Sequence, residues 1–226
     1  MSRVRTLALV AARDEAGLVG PTVRAIHALP VDEVVVVDDG SRDGTAPEAS
    51  AAGARVLVAP ARLGKGEALE AGLDRVPPAG VYLLLDADLG STASAAGPLL
   101  ELVQGGEADL AIATLPRDPR HGGFRVVKRL SASLIRTLSG FSAREPMSGQ
   151  RAVTREVLEA VRPLAPGFGM ETAMTIDAVR LGFRVVEVEV PMAHRATGRN
   201  LAGFAHRARQ GRDVLSAVWP RAIGLR

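Results

Sequence analysis

Apolar residues along the chain fall into two rhythms. In the first half, runs such as Val34–Val37 and Val81–Leu85 are apolar at every position, and each stops at an aspartate. Such runs predict strands at Thr6–Ala11, Glu33–Asp38, Arg55–Ala59 and Val81–Asp86, with a fifth at Leu110–Thr114. Between them, helical spacing covers Val19–Ala28, Ala46–Ala52, Lys65–Arg75 and Ala95–Val103. The alternation means βαβ units, and strands apolar on both sides suit a mostly parallel sheet covered by helices on both faces.

The second half reads differently. Leu115–Gly123 contains two prolines and two glycines without apolar periodicity, which predicts a loop and a mobile lid. Beyond it, Val126–Leu138 is expected as helix, Met147–Val153 as an irregular strand, Glu171–Leu181 as helix and Arg184–Val190 as strand. In the last segment, Leu201–Val218, helical spacing places Leu201, Phe204, Ala208, Leu215 and Val218 near one face, with Arg207, Arg209 and Arg212 elsewhere. With no internal repeat and no composition break that reads as a linker, the 226 residues are expected to form a single α/β domain.

Composition narrows the classes. A hydrophobic share of 47% excludes disorder, and the absence of cysteine excludes a disulfide framework and a thiolate nucleophile, so any metal must use oxygen or imidazole ligands. Arg13, Asp14 and Glu15 follow the first apolar run where a signal peptide would carry its cleavage site, and no stretch approaches the roughly 20 apolar residues of a membrane span. The expectation is a soluble or peripheral protein of the cytoplasm, touching at most the inner face of a membrane. Charge is unevenly spread: residues 1–114 hold 16 acids and 9 bases, residues 115–226 hold 9 acids and 19 bases. One Trp, one Tyr and five Phe leave little for base stacking, so nucleic acid is not expected. The basic half suits a small polyanion or an anionic membrane surface. A basic last helix fits membrane contact, although a packed cap with a solvated arginine face is the commoner arrangement.

Chemistry-bearing residues collect where strands end. Asp38-Asp39-Gly40-Ser41-Arg42-Asp43-Gly44-Thr45 closes the second strand, at the sheet edge where open α/β folds bind ligands. Turn chemistry accounts for Ser41–Thr45, with Thr45 as a helix cap, but not for two adjacent acids ending an apolar strand. Asp86-Ala87-Asp88 closes the fourth strand with a spacing that suits Mg²⁺ or Mn²⁺, ions that take carboxylate oxygens and share their remaining sites with a diphosphate. Gly64-Lys65-Gly66 opens a helix around one of two lysines in a chain with 26 arginines. It is suited to phosphate, though not as a Walker A loop, and a plain helix start is an equal reading. His194-Arg195, followed by Arg199, can offer an imidazole to a metal and guanidiniums to phosphate oxygens.

With Ala11-Ala12-Arg13-Asp14-Glu15 after the first strand, these segments resemble the nucleotide-sugar domain of the GT-A glycosyltransferases, family 2 in particular. Pro146–Ala152 and Pro166–Glu171 extend the likeness to nearly the whole chain, toward polyprenyl-phosphate sugar synthases on one side and glucosyl-3-phosphoglycerate synthase on the other. The resemblance implies a GT-A fold and hexosyl transfer from a nucleoside-diphosphate sugar to a phosphate-bearing acceptor. It assigns the nucleoside to Ala11, Glu15 and Asp39, donor placement to Lys65 and Asp86, and the metal to Asp88 and His194. Arg195 and Arg199 would meet the diphosphate. Glu171 stands as a base, as an acceptor-positioning group, or as a favourable acid at a helix start. A second copy of the chain is a further partner the reading allows. Rival readings are a sugar nucleotidyltransferase, which would need a glycine-rich loop after the first strand, a phospho-acceptor receiver domain, which is about half this length, and a non-catalytic sugar-nucleotide binder.

Overall fold

The computed structural model describes residues 4–59, 61–115, 125–193 and 201–224, with the backbone alone at 125 and 201–209. Its centre is a seven-stranded sheet of order β3-β2-β1-β4-β6-β5-β7. Strands β1 (Thr6–Ala12), β2 (Glu33–Asp38), β3 (Arg55–Val58) and β4 (Val81–Asp86) are mutually parallel. β5 (Leu110–Thr114) pairs in parallel with β7 (Val185–Glu189), and β6 (Arg151–Thr154) runs antiparallel between β4 and β5.

Because side chains alternate across a strand, each apolar run feeds two cores. Ala8, Val10, Val34, Val36, Leu83 and Leu85 face α1 (Val19–His27) and α4 (Gly97–Gln104). Leu7, Leu9, Val35, Val37 and Leu84 face α3 (Lys65–Leu73), α6 (Arg155–Val161) and α7 (Met170–Arg180). Burying each Val or Leu side chain stabilises the fold by roughly 1.5–3 kcal/mol, and the runs thereby specify a doubly covered sheet. α2 (Thr45–Ala51) packs beside α1.

α7 is the pivot of the second half, with Met170 through Ala178 all buried. Met170, Met174 and Ala178, one helical turn apart, lie on the sheet. The opposite side meets α5 (Arg125–Ser139) and α8 (Leu201–Ala222), where Ile176 packs with Ile135, Val214 and Val218, and Ala173 with Ala217. Arg221 of α8 is fixed to Asp177 of α7, its Nε donating to Asp177 Oδ1 at 2.7 Å and its Nη2 to Oδ2. α5 and α8 therefore form an outer layer over α7.

Several expectations shift. Gly90–Ala96 forms a 3₁₀ helix before α4, whose first turn carries Pro98, so the helix expected from Ala95 starts at Gly97. Of Met147–Val153 only the end is strand. α6, unforeseen in the sequence, begins at Arg155 and is capped by Thr154, whose side chain accepts the Val157 N–H at 3.3 Å. α8 runs past Val218 to Ala222, and its expected apolar face divides: Val218 is buried but Leu215 is 51% exposed. Thr45 does not cap α2; its hydroxyl donates to Asp43 and accepts the Glu15 N–H at 2.8 Å. The expected lid lies outside the described residues except for Leu115, as do His194, Arg195 and Arg199. Among the described residues no helix is long and apolar enough to cross a membrane.

Candidate active site

Register brings three strand ends together: Ala11 of β1 lies opposite Val37 of β2 and opposite Asp86 of β4. The two acids closing β2 divide their work. Asp38 Oδ1 accepts the Ser41 N–H at 2.8 Å and the Ser41 hydroxyl at 2.6 Å, closing an Asx turn. Asp39, buried, accepts the N–H groups of Leu63 at 2.6 Å and Gly64 at 3.1 Å. Arg13 donates to the Asp39 carbonyl at 3.0 Å and lies 3.8 Å from its carboxylate. The turn also organises the loop after β1: Ser41, Asp43 and Thr45 accept N–H groups from Asp14, Ala16 and Glu15. Turn chemistry thus explains Asp38 and Ser41–Thr45, while Asp39 joins the β1, β2 and α3 segments. Ala11 and Glu15 are half-buried at this same edge.

Lys65, at the first position of α3, reaches across to two carboxylates, Asp86 Oδ1 at 2.5 Å and Glu171 Oε1 at 2.7 Å. Burial favours loss of its proton, but Asp86 and Glu171 outweigh that and hold the ammonium above the ordinary lysine range. Asp86 is gripped from a second side by Gln150, fully buried, whose Nε2 donates to Asp86 Oδ2 at 2.8 Å and whose Oε1 accepts the Asp86 N–H at 3.1 Å. The Asp86 carboxylate thus has partners on both oxygens. Asp88, two residues on, is half-buried at the same edge.

Glu171 sits in the first turn of α7, 3% exposed. Two contacts align it with Lys65. The N–H of Gly167 donates to Glu67 Oε2 at 3.0 Å, and Gly66 lies so close to the Ala165 carbonyl that a side chain there would collide with it. The first turn of α3 is in this way seated against the turn that starts α7. On the other side Arg151, wholly buried, donates to the Ser148 carbonyl at 2.8 Å and to Thr175 Oγ1 at 3.0 Å, while Thr175 donates to the Glu171 carbonyl at 2.9 Å. Burial lowers the Arg151 pKa to about 10, with Glu171 and Glu187 pulling the other way.

The structure brings together Asp39, Lys65, Asp86 and Glu171 from the expected set. It adds Gly149, Gln150 and Arg151, from the Pro146–Ala152 segment that extends the family likeness. Their link to Asp86 and Glu171 depends on β6 running backward beside β4, which no local pattern announces. The sequence signal for them is a Gly-Gln-Arg run, polar and glycine-bearing, entering a strand that packs in the core.

Residues 8–162 match the model of the family described as glycosyl transferase family 2. The chain belongs to that family. Relatives similar to it include the glucosyl-3-phosphoglycerate synthase of Mycolicibacterium paratuberculosis, 32% identical over 80% of this chain and 63% of the relative. The polyprenol monophosphomannose synthase of Mycolicibacterium smegmatis is 34% identical over 77% of this chain and 72% of the relative. Among solved structures, glucosyl-3-phosphoglycerate synthase from Mycobacterium tuberculosis in complex with Mn²⁺, uridine diphosphate and phosphoglyceric acid superposes with a TM-score of 0.82 at 28% identity. That match covers 96% of this chain and 78% of the other. The same enzyme with Mn²⁺, UDP-glucose and glycerol 3-phosphate gives 0.80 at 30% identity, over 96% and 80%. The chain spans 63%, 55% and 54% of the length of the first curated relatives it matches. The sheet order, with one reversed strand in an otherwise parallel array, is that of a GT-A fold.

Proposed function

We propose that the chain is a metal-dependent hexosyltransferase, moving a hexosyl group from a nucleoside-diphosphate sugar to a phosphate-bearing acceptor in the cytoplasm. The observation that carries this is the Lys65 ammonium held between the carboxylates of Asp86 and Glu171, which join a donor-side strand end to an acceptor-side helix. Glycosyl transfer asks for such an arrangement: positive charge near a departing diphosphate and carboxylates near an oxocarbenium-like sugar. The family match speaks against a nucleotidyltransferase or a receiver domain, and the intact charged cluster supports a catalytic protein over a decayed binder.

In this reading Ala11, Glu15 and Asp39 frame the nucleoside, and Arg13 steadies Asp39 from behind. Asp86, its position fixed by Gln150 and Lys65, presents carboxylate oxygens to sugar hydroxyls. The donor set fits a divalent ion: Asp88 offers carboxylate oxygens, half-buried, two residues past the end of β4, with His194 as second ligand by sequence. One or two protein ligands match the preference of Mg²⁺ and Mn²⁺ for keeping sites open to phosphate and water. When bound, that ion would neutralise charge on the diphosphate. Arg195 and Arg199 add positive charge by their place in sequence. Glu171 serves the acceptor, taking the proton of an attacking hydroxyl or orienting an attacking phosphate, with Lys65 keeping its carboxylate placed.

Titration calorimetry of UDP-glucose and GDP-mannose into the protein, with Mn²⁺ and then with EDTA, tests the donor site. Metal-dependent binding of one donor is expected, and binding of neither by folded protein would overturn the reading. The retained donor, supplied with 3-phosphoglycerate or with a polyprenyl phosphate, then identifies the acceptor.

A further inference from the structure

The outer layer built by α5 and α8 carries an unusual surface. Leu215 and Trp219 share one face of α8, and Ile223 follows just past its end at the same four-residue interval; they are 51%, 66% and 50% exposed. The same face carries Arg212, exposed and 3.5 Å from the more sheltered Asp213. On the neighbouring α5, Arg129 and Arg136 are both exposed, seven residues apart and so on one side of the helix. The segment of α5 contains four basic residues and no acid, and that of α8 one acid and four arginines, of which Arg221 is turned inward to Asp177. Because α7 lies between these helices and the sheet, both outward faces look away from the core.

We propose that this face docks on a lipid bilayer bearing anionic headgroups. An apolar stripe with an indole on one helix, with exposed arginines on that helix and on its neighbour, is the composition that sits at a membrane interface. A second copy of the chain fits less well. An isologous pairing would set the arginines of the two copies against one another, with no exposed acid among the described residues of the face to neutralise them. The inference rests on this surface and not on the transfer reaction. If both hold, a lipid phosphate becomes the natural acceptor.

Trp219 is the only tryptophan in the chain, so its emission reports on this face alone. The test is co-flotation and Trp219 fluorescence with vesicles of phosphatidylcholine and phosphatidylglycerol, against phosphatidylcholine alone. The expected result is a shift of emission to shorter wavelength and flotation with the anionic vesicles only, both lost in high salt. Replacing Arg129, Arg136 and Arg212 together by Gln should weaken partitioning about a hundredfold, at about fivefold per arginine. Leu215→Ser with Ile223→Ser should weaken it with the charge unchanged. Absence of flotation, or flotation indifferent to these substitutions, would overturn the proposal. So would an emission shift without lipid that tracks protein concentration and a doubled mass, which assigns the face to a second copy. Donor binding measured in parallel is independent of every one of these outcomes.

Discussion

Gly149→Ala isolates the Lys65–Asp86 contact by adding one methyl group. Gly149 has no left-handed backbone angle, so its conformation is open to alanine. A β-carbon there would stand 2.6 Å from Asp86 Oδ2 and closer still to Lys65 Nζ, distances that real β-carbons do not tolerate. Both colliding atoms are ends of side chains, so the backbone stays and the ion pair moves. A buried charge-assisted hydrogen bond is worth about 1.5–3 kcal/mol. Forfeiting it from donor placement corresponds to about a ten- to hundredfold loss in kcat/KM or in donor affinity. Global stability should fall by about 0.5–2.5 kcal/mol, the lost contact being offset in part by the alanine's restriction of the unfolded chain, worth about 0.4–1 kcal/mol. Calorimetry with UDP-glucose and Mn²⁺, alongside thermal melting, separates the two effects. In a Lys65→Ala background the methyl should add almost nothing, since its target is gone. Wild-type donor binding by Gly149→Ala, or a loss that is fully additive with Lys65→Ala, would refute the reasoning.

Asp88→Asn should abolish the metal-dependent part of donor binding while leaving the melting temperature unchanged; an unaltered Mn²⁺ titration would remove Asp88 from the metal site. Arg221→Met leaves Asp177 buried without its partner and should cost about 3–5 kcal/mol in chemical denaturation. The double variant with Asp177→Leu should recover much of that loss, and no recovery would mean that the pair is not the cause. The carboxyl of Asp109 is held below its ordinary value of 3.8 by the Arg184 guanidinium that donates to it. Since the folded state then binds its proton more weakly than the unfolded state, this stabilisation is present above about pH 3.8 and lost as pH falls below it. Arg184→Ala should flatten that acid limb of stability, and an unchanged acid titration would count against the pair.

Much of the first half was legible because its determinants are local. Val34–Val37 and Val81–Leu85 are apolar at every residue, and only a sheet covered on two sides buries such runs. Strands β2, β4 and β5 therefore fall where the pattern puts them, and the acids that stop them fall at the site. The second half obeys longer-range rules. The reversed course of β6 is decided by the gap between β4 and β5 and not by anything within Arg151–Thr154. The alliance of Gln150 with Asp86 spans 64 positions, and periodicity carries no such information. Leu215 shows the same limit: spacing places it with Val218, but α7 covers only part of that arc. Asp38 and Asp39 look alike as letters, and only the Ser41 turn on one and the Leu63 and Gly64 amides on the other tell them apart.

The reversed strand has a consequence for how this molecule can be taken apart. β6 comes from the basic half of the chain yet lies inside the sheet, bonded on each side to a strand of the acidic first half. A fragment ending near residue 114 would expose the long apolar edges of β4 and β5, the kind of surface that recruits other chains. The two halves are consequently one folding unit. A chimera that exchanges the basic half must carry β6, α7 and their contacts with Asp86 across together, because the boundary visible in the charge distribution is no seam in the structure.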